Sequence, residues 1–581
     1  MSDITHILLA LLPLVTIVVL MVGLYQPATV TMPIAWILAS AVGFIGWGMS
    51  GTEIAAFSLS GVATASEILW IVFGAILLLY TLKQSGAFEV INAGFSSISD
   101  DRRVQVVLLV FLMGTFIEGA AGFGTPAAIV GPLLVGLGFP PLAAVVVALT
   151  GNLMGITFGA VGTPLIIGLE EVVFAQPEIT AEVTGAGGFE NVTAYVASVG
   201  VWAASIHVIV GVMLPFIGVA MMTRFFGEQR SIKPALEVLP LTLFAWASFA
   251  VPYWATAYFL GPTFPALLGA MIGLLITGAT LRAGYLLPDE EWNFGPRESW
   301  PEHWVGDIEP GESTSGSDRA VATDGGTVSE RHSQNMSLGM AWLPYIITAG
   351  LLVVTRTIDP IQTPLQNNPL NLEFVEILGV AGASGSFRTL YLPGFLFVVV
   401  SVVTYGLHGM NSREIKESWT ESVQKILPAV IALWFAVATV QVMINSGVGA
   451  ALDASMLDVL SNLTADVTGA AYPFFSGFIG AFGAFIAGSN TVSDILFGAF
   501  QYNAAQNIGV STQVVVGAQA VGGAIGNLIA IHNVVAALAV VGLVGEEGRV
   551  IRLELIPLAY YGIFTGILTL LFAYVVAPGA F

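Results

Sequence analysis

Long apolar runs separated by short polar segments occupy almost the whole chain. The runs are about 18 to 25 residues long, and a helix rising about 1.5 Å per residue needs roughly 20 residues to cross the hydrocarbon of a bilayer. The period-2 alternation of barrel strands is absent. Because only helices and closed barrels satisfy their backbones in lipid, this pattern predicts an all-α polytopic membrane protein.

Small and polar residues interrupt the apolar sequence at related places in the two halves. The spacing Gly-x-Phe-Ile-x-Gly occurs at residues 114–119 and again at residues 483–488. Two pairs of later glycines also correspond, Gly151 with Gly522 and Gly155 with Gly526. Paired, interrupted apolar segments in corresponding halves are the best sequence indication of a transporter's binding site.

Basic residues are rare and cluster in a few loops, for example around Arg102 and around Arg224. The positive-inside rule places these loops in the cytoplasm. Segments 170–195 and 448–470 contain acids and no lysine or arginine, so they are predicted to be external. The two kinds of loop together set the predicted sidedness of the chain.

The crossings agree with this sidedness only if two segments enter the membrane and return to the same side. The sequence then predicts about 12 transmembrane helices plus two re-entrant hairpins, in two inverted-topology repeats with discontinuous helices. The predicted segments are an N-terminal repeat at 1–230 (hairpin about 103–138, broken helix about 140–169), two linking transmembrane helices at 231–283, an acidic polar cytoplasmic connector at 284–337, and a C-terminal inverted repeat at 338–581 (hairpin about 470–508, broken helix about 510–545).

Composition narrows the class further. The chain has no cysteine, which excludes disulfides, thiol catalysis and thiolate metal sites. The net charge of −21 and the lack of a basic patch argue against nucleic-acid binding. Acidic loops suit a high-salt cytoplasm, so we expect the plasma membrane of a halophilic prokaryote. The apolar run from Ile7 to Leu24 lacks a basic leader and is expected to be a membrane span, not a cleavable signal.

Two predicted hairpin tips and two predicted helix breaks bring the candidate chemistry together. Glycines and a following helix start in the first tip would offer free N–H groups to an anion. The second tip offers neutral hydroxyl and amide groups suited to carboxylate, hydroxyl or Na⁺. The candidate substrate-binding residues are Gly119, Gly122, Gly124, Thr125, Asn152, Thr163, Ser489, Asn490, Thr491, Asn527, His532 and Asn533. No metal or cofactor is expected.

Three titratable side chains are candidates for proton coupling or gating: Glu118, Asp494 and His532. A carboxylate beside an anionic substrate is repulsive unless it is protonated, which gives a physical route to proton coupling. Each residue also has a structural interpretation, as an acid hydrogen-bonded to loop amides or as a satisfied core histidine. His207 is expected to be structural, and Tyr253 to anchor the chain at the membrane interface.

Residues Phe116 to Ile129 resemble the signature of the lactate permease family. That family carries L-lactate and related 2-hydroxymonocarboxylates, such as D-lactate and glycolate, together with protons. Residues 488–491 and 541–545 are also similar to the family's sequence, and 489–491 resembles the Ser-Asn-Thr tips that bind carboxylates and sodium in the wider ion transporter superfamily. Residues 526–532 depart from the pattern, because they lack a lysine that some members have there.

The resemblance implies a secondary active transporter that imports L-lactate or a related 2-hydroxymonocarboxylate by proton symport and alternating access. The alternative is a sodium-coupled organic anion or dicarboxylate transporter of the same superfamily. A channel would share the membrane helices but not substrate accumulation. The sequence contains no His-Glu-x-x-His metalloenzyme motif and no phosphate-binding loop of the ATPase type, so an enzyme or a primary pump is not expected.

Overall fold

A computed structural model describes residues 3–20, 24, 26–96, 98–122, 125–171, 173–174, 177–305, 336–367, 369–543 and 545–578. These residues are almost all helical, which confirms the predicted all-α polytopic class. Within the described chain, nine helices are long and apolar enough to cross a membrane. Three shorter apolar helices accompany them, at Ile4–Val18, Leu338–Leu352 and Pro393–Leu407. The number of crossings and the inverted repeats remain predictions.

The first half contains two interruptions in its helices, one after α5 and one after α7. The helices are α1 (Asp3–Val18), α2 (Ala28–Trp47, π-helical at its end), α3 (Gly51–Gln84), α4 (Ala87–Ser96), α5 (Arg102–Ala121), α6 (Thr125–Gly136), α7 (Pro141–Ile156), the π-helix α8 (Pro164–Glu171), α9 (Pro177–Thr184), α10 (Val192–Phe226), α11 (Lys233–Glu237), α12 (Leu239–Leu260) and α13 (Pro265–Arg282).

The second half repeats this alternation of long and interrupted helices. Its helices are α14 (Leu338–Thr357), α15 (Asp359–Gln366), α16 (Pro393–Leu407), α17 (Ser412–Val448), α18 (Met456–Thr468), α19 (Tyr472–Ala487), α20 (Asn490–Ile508), α21 (Thr512–Asn527), α22 (Ile531–Ala539) and α23 (Glu547–Val576). A two-stranded antiparallel sheet, β1 (Leu372–Phe374) with β2 (Gly385–Phe387), lies between α15 and α16. The sequence did not predict this sheet.

Close backbone contacts at glycines hold α3 against α16 and α17. A Cβ on Gly74 would lie 2.3 Å from the Gly394 carbonyl oxygen, and one on Gly61 would lie 2.7 Å from the Ala438 nitrogen. Small residues let membrane helices approach this closely and gain van der Waals contact. The 34-residue α3 starts at a capping box, in which Ser50 and Glu53 satisfy each other's backbone N–H groups.

The start of the predicted connector packs on the base of the first hairpin. Asp101 accepts a hydrogen bond from the Trp292 backbone N–H at 2.8 Å and forms a buried ion pair with Arg103 at 2.7 Å. The Phe294 ring meets the Phe139 ring edge-on, with centroids 5.2 Å apart. This part of the acidic connector therefore packs against the membrane helices. Residues 306–335 of the connector lie outside the described residues.

Candidate substrate site

The first predicted tip ends α5 at Ala121, where Gly122 turns the chain with a left-handed φ of +65°. A Cβ on Gly122 would lie 2.8 Å from the Ala160 Cβ, and one on Gly119 would lie 2.6 Å from the Leu267 nitrogen. Both glycines are thus required for contact with neighbouring backbone. The tip is held between α13 and the break that follows α7.

That first break consists of three successive left-handed residues. Ala160, Val161 and Gly162 have φ values of 42°, 59° and 78°. Such φ values are costly in residues with a Cβ, and they persist where the surrounding structure imposes them. The Thr163 hydroxyl donates to the Ala160 carbonyl at 2.5 Å, which satisfies a backbone group left without a helical partner. The sequence places this break from Gly151-Asn152 through Gly162-Thr163-Pro164, but the helix is interrupted only after Ile156. Gly151 and Asn152 lie within α7, where a Cβ on Gly151 would lie 2.4 Å from Val110 Cγ1, so this glycine serves close packing.

Glu118 lies against this broken helix and is 4% exposed. The Asn152 amide donates to Glu118 Oε2 at 3.1 Å, and in the described part of the chain the Asn152 carbonyl oxygen has no hydrogen-bond partner. Two glycines of the same segment make room for the acid: a Cβ on Gly155 would lie 2.7 Å from the Glu118 Cβ, and one on Gly159 would lie 2.8 Å from Oε1. Glu118 is therefore bonded to an amide side chain of α7.

The second tip is built around the N-terminus of α20. Gly488 turns the chain with a φ of +67°, and the Ser489 hydroxyl accepts from the Val492 N–H at 3.4 Å as the helix cap. The N–H groups of Asn490 and Thr491 belong to the first turn, which has no partner within the helix. Ser489 thus caps the helix, whereas Asn490 and Thr491 contribute backbone N–H groups that have no partner within it.

The Asn490 side chain is a buried carboxamide at the start of α20. It is 2% exposed, and among the described residues neither its amide nitrogen nor its carbonyl oxygen has a hydrogen-bond partner. It lies directly over α21, because a Cβ on Gly523 would be 1.5 Å from Asn490 Oδ1. Buried amides in proteins are almost always paired, so this one is available for a ligand.

The two halves use their amides in reciprocal ways. The glycine correspondence in the sequence aligns Asn152 with Gly523 in the two predicted repeats. In the first half, Asn152 reaches from the broken helix towards the hairpin. In the second half, Asn490 reaches from the hairpin towards the broken helix. Each half thus places one carboxamide between a hairpin and its broken helix.

Asp494 lies one turn further along α20 and is fully buried. Its Oδ1 accepts a long hydrogen bond, 3.4 Å, from the Gln519 amide, and its Oδ2 has no hydrogen-bond partner among the residues that the structure describes. Gln519 also donates to the Ser493 hydroxyl at 3.0 Å and accepts from Gln501 at 2.9 Å. Tyr472 donates to Gln501 at 2.5 Å. The two glutamines were not among the predicted site residues, although each stands out in an apolar stretch.

The halves meet at this network. A Cβ on Gly168 of α8 would lie 3.1 Å from the Thr491 carbonyl and 3.2 Å from the Asp494 Cβ. The Thr157 hydroxyl, at the end of α7, donates to the Ala520 carbonyl of α21 at 3.2 Å. Both interrupted helices and the second tip are therefore in direct contact.

The second break is predicted from Gly522-Gly523 through Asn533, but these two glycines lie within α21, and the helix is interrupted only between Asn527 and the start of α22 at Ile531. Across it, the Asn533 amide donates to the Asn527 side-chain carbonyl, so these two predicted residues are brought together. Of the remaining predicted residues, Gly124 lies outside the described residues, as do the side chains of Thr125 and His532.

Two further side chains, those of Tyr253 and His207, pack beside α7. The prediction that Tyr253 anchors the interface is wrong: the residue is fully buried, and its hydroxyl donates to the Met154 carbonyl at 3.3 Å. His207 is buried between the Thr157 hydroxyl at 2.7 Å and the Tyr561 hydroxyl at 2.8 Å. Both groups bond to the last turns of α7, which explains their burial in an apolar region.

Comparison of the whole chain with known families supplies the family. The model of the family described as L-lactate permease matches residues 6–576. The chain belongs to the L-lactate permease family. Within it, the chain is 28% identical to the glycolate permease GlcA of Escherichia coli (strain K12), over 87% of this chain and 85% of that protein. It is also 28% identical to the L-lactate permease of Bacillus subtilis (strain 168), over 87% of this chain and 83% of that protein.

Family membership confirms the resemblance carried by residues 116–129 and makes the chain a multi-pass membrane permease. Among solved structures, the YdaH transporter of Alcanivorax borkumensis is similar at 15% identity and a TM-score of 0.38, over 89% of this chain and 87% of that one.

Proposed function

We propose that this permease is a secondary active transporter that imports L-lactate and related 2-hydroxymonocarboxylates, such as D-lactate or glycolate, across the plasma membrane by proton symport. The observation that carries the proposal is the unpartnered Asn490 carboxamide, held at the start of α20 and over Gly523. Membership of the L-lactate permease family supports the substrate class.

The chemistry of Asn490 fits a 2-hydroxymonocarboxylate. An amide offers one donor group and one acceptor on adjacent atoms. The substrate offers a carboxylate, which accepts, and a neighbouring hydroxyl, which donates. Because neither polar atom of the Asn490 side chain has a partner among the described residues, the match holds whichever way round the amide is placed. The backbone N–H groups at the start of α20 and the positive end of its dipole add attraction for the carboxylate.

A single negative charge on the substrate also fits the charges around the site. Among the described residues, no lysine or arginine forms an ion pair with Glu118 or Asp494. A helix N-terminus carries a positive partial charge but no formal charge, and together with an amide it can hold one carboxylate without a lysine or arginine. Two carboxylates would need more compensation than these groups supply, which favours monocarboxylates over dicarboxylates.

Proton symport follows from placing an anion near buried acids. A bound carboxylate close to an ionised Glu118 or Asp494 would be repelled, and protonation of the acid removes that repulsion. Binding of the anion and binding of a proton then favour each other, which is the coupling that symport requires. Alternating access would come from movement of the hairpin tips relative to the scaffold of α3, α16 and α17.

Uptake of labelled L-lactate into proteoliposomes tests the proposal, with pH and Na⁺ gradients imposed separately. We expect accumulation under an inward proton gradient alone, competed by glycolate and weakly by propionate, which lacks the 2-hydroxyl. Accumulation under a Na⁺ gradient alone would replace proton symport with the sodium-coupled alternative. No accumulation under either gradient would refute lactate as the substrate.

A further inference from the structure

A further buried carboxyl, Glu554, lies in the last membrane helix and has no role in the site described above. It is fully buried and is seven residues from the start of α23 at Glu547, which puts it about 10 Å into the helix. Ionisable side chains at membrane depth mark functional sites by default. Nothing in the sequence pattern drew attention to it, because it belongs to neither hairpin nor break.

Among the described residues, the hydrogen-bond partner of the Glu554 carboxyl is one hydroxyl group. Thr150 Oγ1 lies 3.1 Å from each of the two Glu554 oxygens and 3.0 Å from the Val146 carbonyl of its own helix. A threonine hydroxyl has one proton to donate and can accept as well. Three acceptor atoms therefore share a single donor whenever Glu554 is ionised.

Protonation resolves this shortage. A protonated Glu554 donates to Thr150 Oγ1, which then donates to the Val146 carbonyl, so each of the two hydroxyl protons has its own acceptor. An ionised Glu554 instead draws the hydroxyl proton away from Val146. Threonine bonds to the i−4 carbonyl bend helices, so the two protonation states differ in the shape of α7 at Thr150.

The position of Thr150 joins this acid to the substrate site. Asn152, which bonds to Glu118, follows it by two residues on α7. Residues two apart on a helix do not face the same side, so Glu118 and Glu554 flank α7 on different faces. A change in α7 at Thr150 would thus reach Asn152 within one turn.

No buried cation among the described residues competes for this carboxyl. α23 packs against α7, α10, α19, α21 and α22. Helices α7 and α21 carry no titratable residue. The titratable groups on the other elements, including α23 itself, are Tyr195, His207 and Arg224 on α10, Tyr472 on α19, His532 on α22, and Glu547, Arg549, Arg552, Tyr560, Tyr561 and Tyr574 on α23. The arginines among them are exposed, and His207 is bonded to Thr157 and Tyr561.

We propose that Glu554 is a proton-carrying residue of the transport cycle, which acts on the substrate site through Thr150 and α7. Loading adds one proton from water to the carboxylate, and release returns that proton to water on the other side; no other bond changes. The inference rests on the proton symport proposed above. It adds a proton site outside the hairpins and breaks.

The experiment compares net transport with exchange in purified, reconstituted protein. With an inward gradient of about one pH unit, one-proton symport sustains about tenfold accumulation of L-lactate. Glu554→Gln mimics the protonated acid, so we expect no accumulation, together with lactate–lactate exchange within about twofold of the unchanged protein. Exchange moves no net proton and does not need release from Glu554.

The variant Glu554→Asp separates a proton role from a structural one. Aspartate keeps the titratable group but shortens it, whereas glutamine keeps the shape and loses the titration. We expect proton-driven accumulation in Glu554→Asp and none in Glu554→Gln. Glu547→Gln, at the start of the same helix, is the matched control and should behave as the unchanged protein.

Two results would overturn the inference while leaving proton symport intact: full proton-driven accumulation by Glu554→Gln, or loss of exchange and accumulation together in that variant. Failure of the unchanged protein to accumulate lactate under the pH gradient would instead refute the proposed symport, and the role of Glu554 with it.

Discussion

Asn490 combines a donor and an acceptor on one short, buried group, and it is the residue on which the proposed substrate recognition depends. Of its two neighbours, Ser489 uses its hydroxyl to cap α20, and Thr491 packs its backbone carbonyl against α8. Glu118 differs from Asn490 because it already has a partner, the Asn152 amide. At this scale the site divides into a recognition group on the second tip and an acid on the first.

Replacing Asn490 with alanine should reduce L-lactate uptake by about tenfold to 100-fold, since a hydrogen bond to a charged group is worth roughly 1.5–3 kcal/mol. Initial uptake rates in proteoliposomes measure this. Asn507→Ala is the control, because Asn507 is on the same helix, exposed, and bonded to Asn462. Equal rates for Asn490→Ala and the control would exclude Asn490 from the site.

Glu118→Gln should reduce proton-driven uptake by at least about tenfold, corresponding to roughly 1.4 kcal/mol of lost coupling. The change keeps the volume of the side chain and its contact with Asn152, and removes the titratable group. Uptake at a series of external pH values is the measurement, with thermal stability of the purified protein as the control for folding. An unchanged pH profile would assign Glu118 a purely structural role.

Helices α19, α20 and α21 form a unit in which the backbones are almost in contact. A Cβ on Gly522 would lie 2.0 Å from the Gly477 carbonyl, and one on Gly526 would lie 1.9 Å from the Ala481 carbonyl. This spacing brings Gly523, on the same helix, under the Asn490 side chain. The second hairpin and its broken helix therefore act as one element, which positions the recognition group.

Gly523→Ala should abolish most lactate transport, because its Cβ would occupy the place of Asn490 Oδ1. Gly406→Ala in α16, where a Cβ meets nothing within 4 Å, is the matched control. Neighbouring substitutions that share a contact are not additive. We therefore expect Gly523→Ala to destabilise an Asn490→Ala background less than the unchanged protein, as measured by thermal unfolding. Equal destabilisation in both backgrounds would contradict the contact.

The whole molecule combines an interior that holds few ionisable groups with a large excess of acidic residues. Its formal net charge is −21, and ion pairs such as Arg413 with Glu417 lie at the ends of helices. Excess charge of one sign destabilises a compact fold through self-repulsion, and salt screens it. The prediction of a halophilic source belongs to this scale.

Raising KCl from about 0.1 M to about 2 M, over which the Debye length shrinks from roughly 10 Å to a few Å, should raise the melting temperature of the detergent-solubilised protein by several degrees. Sucrose at matched osmolality is the control, because it stabilises without screening. A melting temperature that does not change with KCl would argue against adaptation to high salt.

Hydrophobic pattern and rare charges were enough to predict the membrane class, the long helices and the polar interruptions. Apolar length and the glycine-proline breaks are local properties, and the family resemblance is carried by the contiguous residues 116–129. The sequence also drew attention to Glu118, Asn152, Asn490 and Asp494, because polar residues are conspicuous in apolar runs.

Only the tertiary structure decided which of these groups face one another. These features join residues that are far apart in the chain, by 34 to 404 positions where a hydrogen bond links them. They are the pairing of Asn152 with Glu118, the placement of the Asn490 amide over Gly523, the burial of Tyr253, and the contact of Thr150 with Glu554. Local patterns cannot report such contacts, because they depend on how whole helices pack. In this protein, close packing at glycines sets those distances, and with them which polar atoms are left free for a ligand or a proton.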